Sequence, residues 1–423
     1  MQLTQIKKSL PDFITKKFDA IIEDRINILA DRKPIIFGMT PKSGDVVMQT
    51  NDYLDLHNND AIKNAHIQAI RDNDQSLLMS GALLRGAENQ PVFEEKLAKL
   101  TGFDRCVVAQ SGWNANIDLL QGICDKDTNV YVDFFAHASL WEGARIAGAK
   151  VHMFMHNNMR HLERQLKRHG SGIILVDSIY STIGTIAPLV DVVSLAYKYD
   201  CALVVDESHS LGTHGPNGAG LVAELGLTEH VDFITASLAK TFAYRAGAIL
   251  ANEQTAYLVP LLAYPSIFSS AMLPYEMDRL NATFDVIVGA HEGRRALKQN
   301  ADYLNRGLRS IGFDIDSESQ IFGIDTGDVH NTLKIRNFLE ENGVFGSVFC
   351  PPATPHGKHL IRFSINSGHT KEELNRVIDV CQKAWDNPEL RSLRCHCLIA
   401  KKERSNKRSF QLKLSKSKWR LYR

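Results

Sequence analysis

Residues 202–209 read Ala202-Leu203-Val204-Val205-Asp206-Glu207-Ser208-His209. The run is apolar on both faces and then turns polar, the pattern of a strand buried inside a parallel sheet and ending at a crevice. Similar runs flank it. Upstream they are 173–176, 151–154, 130–133 and 106–109, and downstream 232–235 and 247–250, giving seven candidate strands. The stretches between them, 114–123, 139–147, 160–168 and 190–199, carry helical periodicity, and Gly170 follows the third as a stop. Alternation of this kind predicts an α/β fold in which a mostly parallel seven-stranded sheet lies between helices. Between 235 and 247 the chain is too short for a crossover helix, so the last pair is expected to be antiparallel neighbours.

The pattern changes after Pro274. A long charged helix is expected over 276–307, then strand-like pieces at 321–324, 344–349 and 360–365, then a helix from Thr370. This reads as a smaller α+β C-terminal domain. The expected organisation is an N-terminal helical segment (1–45), a large domain (46–273), a small domain (274–388) and a tail (389–423).

Within 423 residues the net charge is only +1, but residues 391–423 hold twelve Lys or Arg against the single acid Glu403. That tail carries +11 and leaves −10 on the rest of the chain. It lacks an apolar period and is read as a disordered, solvated extension rather than a nucleic-acid arm. Lys7, Lys8 and Pro11 interrupt the apolar stretch that a signal peptide needs, and no run reaches membrane-spanning length, so a cytoplasmic protein that does not engage membranes is expected. Seven scattered cysteines suggest no disulfide framework. Cys395-His396-Cys397 lacks the second ligand pair of a zinc site, so no metal is expected.

The chemistry is sought just beyond the strand ends. Ser111-Gly112-Trp113-Asn114 opens a helix after the first strand, where free N–H groups and the helix dipole suit a phosphate; ordinary turn chemistry gives the same residues. Asp206 ends a buried strand and needs a cationic partner, with His209 three positions on. A pyridinium nitrogen would serve, and the carboxylate would keep that ring protonated as an electron sink; a helix N-cap or metal ligand are the alternatives. Lys240 lies 34 residues beyond Asp206, in the small, hydroxylated segment Thr235-Ala236-Ser237-Leu238-Ala239-Lys240-Thr241. A lysine in an apolar cleft titrates below its ordinary range and becomes an imine former and proton carrier, which together with Asp206 and His209 points to a Schiff base with pyridoxal 5'-phosphate. His137, beyond the second strand, is positioned to stack on a flat ring.

Together these residues resemble the α-oxoamine synthase family, fold-type I pyridoxal-phosphate transferases that join a small amino acid to an acyl-CoA. The resemblance covers about residues 45–388 and rests on Ser111 to Asn116, His137-Ala138-Ser139-Leu140, Val205 to Gly212 and Lys240 in the family's order. Asp133 to His137, Asp177-Ser178-Ile179-Tyr180-Ser181 and Tyr244-Arg245-Ala246-Gly247 are most similar to synthases of α-hydroxyketone quorum-sensing autoinducers. The resemblance implies that Lys240 carries the cofactor, Asp206 binds its pyridine nitrogen, His209 contacts its phenolic oxygen and His137 stacks on it. Ser111, Gly112, Trp113, Ser178 and Ser237 would complete the cofactor site, and Ser270 would reach the neighbouring subunit's phosphate in a homodimer with shared sites. Arg362 would grip the amino acid carboxylate, and Asn51 would lie on the substrate side.

The implied substrates are a medium-chain fatty acyl-CoA and 2-aminobutyrate or S-adenosylmethionine, giving an aminoketone. The family commonly has a Gly-rich, Arg-containing stretch where residues 74–81 read Asp74-Gln75-Ser76-Leu77-Leu78-Met79-Ser80-Gly81, and a His at Gln90. The rival readings are an aminotransferase on the same fold, another α-oxoamine synthase using glycine, alanine or serine, and a cofactor-free regulator that uses the basic tail.

Overall fold

The computed structural model describes residues 9–29, 32–72, 80 and 89–390. The basic tail from 391, the Cys395-His396-Cys397 group, most of 74–81 and the Gln90 side chain lie outside that description. The N-terminal helix runs Asp12–Ile22, continues through one wider turn at Glu23–Asn27, and buries none of its side chains. A short strand β1 (Val46–Val47) then leads to the helices Asp60–Asp72 and Asn89–Thr101.

Among the described residues the central sheet has seven strands: β2 (Arg105–Ala109), β3 (Asn129–Asp133), β4 (Lys150–Phe154), β5 (Ile173–Asp177), β6 (Ala202–Asp206), β7 (Phe233–Ser237) and β8 (Gly247–Ala251). Their order is β2-β8-β7-β6-β5-β3-β4, and the order reverses about β3 and β5, where the chain passes from one half of the sheet to the other. All pairings are parallel except those of β8, which runs antiparallel to both β2 and β7. The 235–247 interval is therefore a hairpin, closed by the Leu238 N–H donating to the Ala246 carbonyl at 2.9 Å. β5 and β8 are buried along their whole length, which is why their residues do not alternate.

The helices Gly112–Ile123, Ala138–Ile146, Met159–His169 and Leu189–Lys198 fill the connections. Behind the sheet, Phe93 packs edge-on against Phe242 and Phe284. Each fully buried ring of this kind contributes about 1.5–3 kcal/mol of hydrophobic stabilisation.

Two expectations are corrected in the second half. The single helix over 276–307 is two helices, Pro274–Gly289 and His291–Ile311, separated at Ala290 with ψ +45°. Gly289 weakens the ladder there, and the second helix starts afresh to lay Leu297, Ala301, Leu304 and Leu308 on the core. The stretch 344–349 is likewise two strands. β10 (Val344–Phe345) pairs in parallel with β1, whereas β11 (Ser347–Phe349) joins β12 (His359–Ser364) and β9 (Ile321–Gly327) in an antiparallel sheet. The change of partner falls at Gly346, where a Cβ would lie 2.6 Å from Ile361 and 2.7 Å from Phe363. No described helix is long and apolar enough to cross a membrane.

Candidate active site

The parallel register brings three polar strand ends side by side. Asp177 at the end of β5 faces Asp206 at the end of β6, and Asp206 faces Thr235 near the end of β7. Beyond them lies a cavity of ≈ 550 Å³, lined by Lys240, Asp206, His209, His137, Ser111, Gly112, Trp113, Ser237, Asn51 and Arg362. Residues from the first strand end to the last sheet thus converge on one crevice.

Asp206 is 5% exposed. Its Oδ1 accepts from the Ser208 N–H at 2.9 Å, and its Oδ2 from the Asn116 amide at 2.8 Å. Among the described residues no ion pair neutralises it. Asn116 is held the right way round because Thr235 donates to its Oδ1 at 2.6 Å, so its NH₂ group donates both to Asp206 and, at 2.8 Å, to Ser139 Oγ. Ser139 then donates to His137 Nδ1 at 2.7 Å, and its own backbone N–H points to the same nitrogen at 3.3 Å. Nδ1 is therefore an acceptor, and the His137 proton sits on Nε2. Burial pushes the His137 pKa down, opposed by Asp206 and reinforced by Lys240, which keeps the ring neutral. The His137 backbone N–H is fixed by Asp177 Oδ1 at 3.1 Å, and Trp113 meets its ring edge-on.

Lys240 occupies the β7–β8 hairpin. Burial lowers its pKa, as does the nearby Arg362 guanidinium, while Asp206 opposes the shift. An amine so placed is more often unprotonated at neutral pH than a surface lysine, which nucleophilic attack on a carbonyl requires. Opposite it, the helix Gly112–Ile123 opens with Ser111 as N-cap, its Oγ accepting from Asn114 N. Gly112 and Trp113, the first residues of that helix, line the cavity at the positive end of its dipole. The approach is close. A Cβ on Gly112 would lie 2.4 Å from the Ser237 Cβ, and one on Gly247 would lie 2.2 Å from the Ser111 carbonyl oxygen.

At the other end of the cavity, Arg362 on β12 is 5% exposed and braced on three sides. It donates to the Ser181 carbonyl at 2.8 Å and to Asn51 Oδ1 at 3.0 Å, and its guanidinium lies 4.7 Å from the centre of the Phe349 ring. No carboxylate pairs with it among the described residues, and its buried Nε has no hydrogen-bond partner. His209 contacts Tyr53, whose hydroxyl is 2.6 Å from Nδ1, and the His209 carbonyl accepts from Gln320 at 2.7 Å.

Two sequence-expected residues stand apart from this cavity. Ser178 is wholly buried beneath it, its hydroxyl spent on the Asp206 carbonyl at 3.1 Å and Ser210 at 2.7 Å. Ser270 forms a bridge with Ser80 and lines a separate hollow with Gln110, Asn114 and Asp118. Asn116, Ser139, Tyr53, Gln320 and Phe349 join the site without a role predicted from the sequence. Asn116 and Ser139 were visible as polar residues on the first turns of helices that follow strands; Phe349 and Gln320 carry no local signal.

A buried carboxylate without a cation, an amine with a depressed pKa, a helix N-terminus crowded by glycines and a flat neutral imidazole are the complement of a phosphorylated pyridine aldehyde. Such a set would suit its nitrogen, its carbonyl carbon, its phosphate and its face, so the residues fit that group. Fold and site together define a lysine-linked transferase of fold type I. The aminotransferase class I and II model matches residues 44–380. The CAI-1 autoinducer synthase of Vibrio campbellii is 54% identical over 90% of this chain and 98% of its own length. A serine palmitoyltransferase of Bacteriovorax stolpii is 31% identical over 88% and 93%. A solved structure of SPT with PLP superimposes with a TM-score of 0.81 at 26% identity, covering 88% of this chain and 98% of that one. The chain belongs to the aminotransferase class I and II family, as an enzyme of its α-oxoamine synthase group with pyridoxal 5'-phosphate as cofactor.

Proposed function

We propose that this enzyme condenses a medium-chain fatty acyl-CoA with 2-aminobutyrate or S-adenosylmethionine, with loss of the thiol and of the amino acid carboxylate, to give the aminoketone precursor of an α-hydroxyketone autoinducer. The observation that carries the reading is the placement of a braced, uncompensated Arg362 across one cavity from Lys240 and Asp206. The high identity to the CAI-1 autoinducer synthase supports the product class.

When bound, the cofactor supplies a sink for the electron pair left at the amino acid Cα. In this reading Lys240 would carry the cofactor and, once freed, would move a proton at the amino acid Cα. Asp206, its carboxylate fixed by the Asn116 amide and the Ser208 N–H, would hold a proton on the pyridine nitrogen. His137, its orientation locked by Ser139, would lie against the cofactor ring. The Gly112 and Trp113 N–H groups and Ser237 would hold the phosphate. Arg362 grips the substrate carboxylate, so the Cα bonds are presented in one orientation. Phe135, Pro352 and Ala353 give the cavity an apolar side suited to an acyl chain.

A homodimer with Ser270 reaching a partner's site is part of the proposal. It is supported by the exposed Tyr264 and Phe268, 64% and 79% accessible, on the helix just before Ser270. A cytoplasmic location suits an enzyme that consumes CoA thioesters.

Mass spectrometry of the products formed from a panel of acyl-CoAs and small amino acids tests the substrate assignment. Medium-chain aminoketones from 2-aminobutyrate or S-adenosylmethionine are expected. Glycine with a short dicarboxylic acyl-CoA as the best pair would overturn it. A more local expectation concerns Arg362→Lys, which keeps the charge but loses the fork. The KM for the amino acid should rise about 10–100-fold, the worth of one or two charge-assisted hydrogen bonds, with a smaller change in kcat, as read from steady-state kinetics.

A further inference from the structure

Tyr53 is fully buried, and its hydroxyl lies 2.6 Å from His209 Nδ1 and 3.3 Å from Asn51 Oδ1. Burial pushes this phenol well above its ordinary pKa, outweighing the opposite effects of Arg362 and a hydrogen bond from Gln320, so the hydroxyl keeps its proton. It has one proton to give. Asn51 Oδ1 already accepts from Arg362 at 3.0 Å, and the shorter contact is the one to His209. His209 is neutral as well, because burial, Lys240, Arg362 and His137 all disfavour its charged form. A neutral imidazole carries a single proton, on Nδ1 or on Nε2.

We propose that Tyr53 is a positioning residue: by donating to Nδ1 it fixes His209 in the tautomer whose Nε2–H points to the cofactor cavity. The reverse arrangement would have Nδ1–H donate to the phenol and the phenol donate to Asn51 across the longer contact, to an oxygen already engaged. With Tyr53 donating, an acceptor oxygen of the cofactor beside Lys240 gains a hydrogen bond from His209; in the other tautomer it would face a lone pair. The consequence can be read without any turnover. The cofactor's phenolic oxygen and the nitrogen linking it to Lys240 share a proton, so a donor to the oxygen lowers the pH at which that proton leaves.

The experiment is a pH titration of the visible absorbance of holoenzyme, without acyl-CoA or amino acid. Tyr53→Phe should raise the midpoint by about half to one pH unit, the scale of one altered hydrogen bond to an ionising group. His209→Asn should raise it as well, and adding Tyr53→Phe to His209→Asn should move it no further. A Tyr53→Phe protein that titrates like wild type, or shifts that add in full in the double variant, would overturn the proposal. If Tyr53→Phe does not take up cofactor, holoenzyme made with 3-fluorotyrosine reads the same bond. Its more acidic hydroxyl is a stronger donor, so the midpoint should fall in the wild-type background and stay unchanged in His209→Asn; equal movement in both backgrounds contradicts the assignment.

Discussion

Lys240→Ala protein is expected to fold, to retain cofactor only by non-covalent contacts, and to lose turnover by about 10⁴-fold or more. The side chain lies in a hairpin whose closure rests on the Leu238 to Ala246 backbone bond, so truncation leaves the β7–β8 connection in place. Removing a partly buried amine with a lowered pKa also removes an unfavourable desolvation, and thermal stability should be unchanged or slightly higher. What is lost is chemical. Arg362 stays protonated, and His137 is held with Nδ1 as an acceptor, so neither supplies an unprotonated amine at that place. Borohydride should fix the cofactor to wild-type protein and leave the variant unlabelled, as read by intact mass. Covalent labelling of the variant would move the linkage to another lysine.

Asp206→Asn is expected to lower kcat by about 10³-fold while changing the KM for the amino acid little. A carboxylate at this strand end can hold a proton on a pyridine nitrogen, and an amide of the same shape cannot. The substitution also injures its own surroundings. Both Asp206 oxygens accept, from Ser208 N–H and from the Asn116 amide, and Thr235 prevents Asn116 from turning over. The new NH₂ group must face one of these donors, which costs about 1–3 kcal/mol of stability. Thermal unfolding of the cofactor-free protein measures that cost apart from the catalytic loss. A destabilised protein with full kcat would separate Asp206 from the chemistry.

The crevice was legible in the sequence because its parts lie where apolar strands stop. Asp206, His137, Ser111 and Lys240 each follow such a run, and parallel register gathers the ends of parallel strands without further information. The hairpin around Lys240 was legible from chain length alone. The other half of the cavity was legible only through the family resemblance, which supplied Asn51 and Arg362, and not from local pattern. Asn51 and Arg362 are 311 residues apart, and Tyr53 and His209 are 156 apart, so only tertiary packing brings them together. The break at Ala290 escaped because nothing there forbids a continuous helix; the core decides it. Ser178, which only the family resemblance singled out, follows the end of β5 wholly buried, where the Asp206 carbonyl and Ser210 take its bonds.

The central claim is a condensation in which one enzyme consumes an acyl-CoA and releases the amino acid carboxylate. Its most direct test is the stoichiometry of a single reaction mixture containing holoenzyme, a medium-chain acyl-CoA and 2-aminobutyrate labelled with ¹³C at the carboxyl carbon. Free thiol and labelled CO₂ should appear together in equal amounts, and the ketone product should carry no label. Amino-group transfer to a keto acid with the label retained and no thiol released would contradict it.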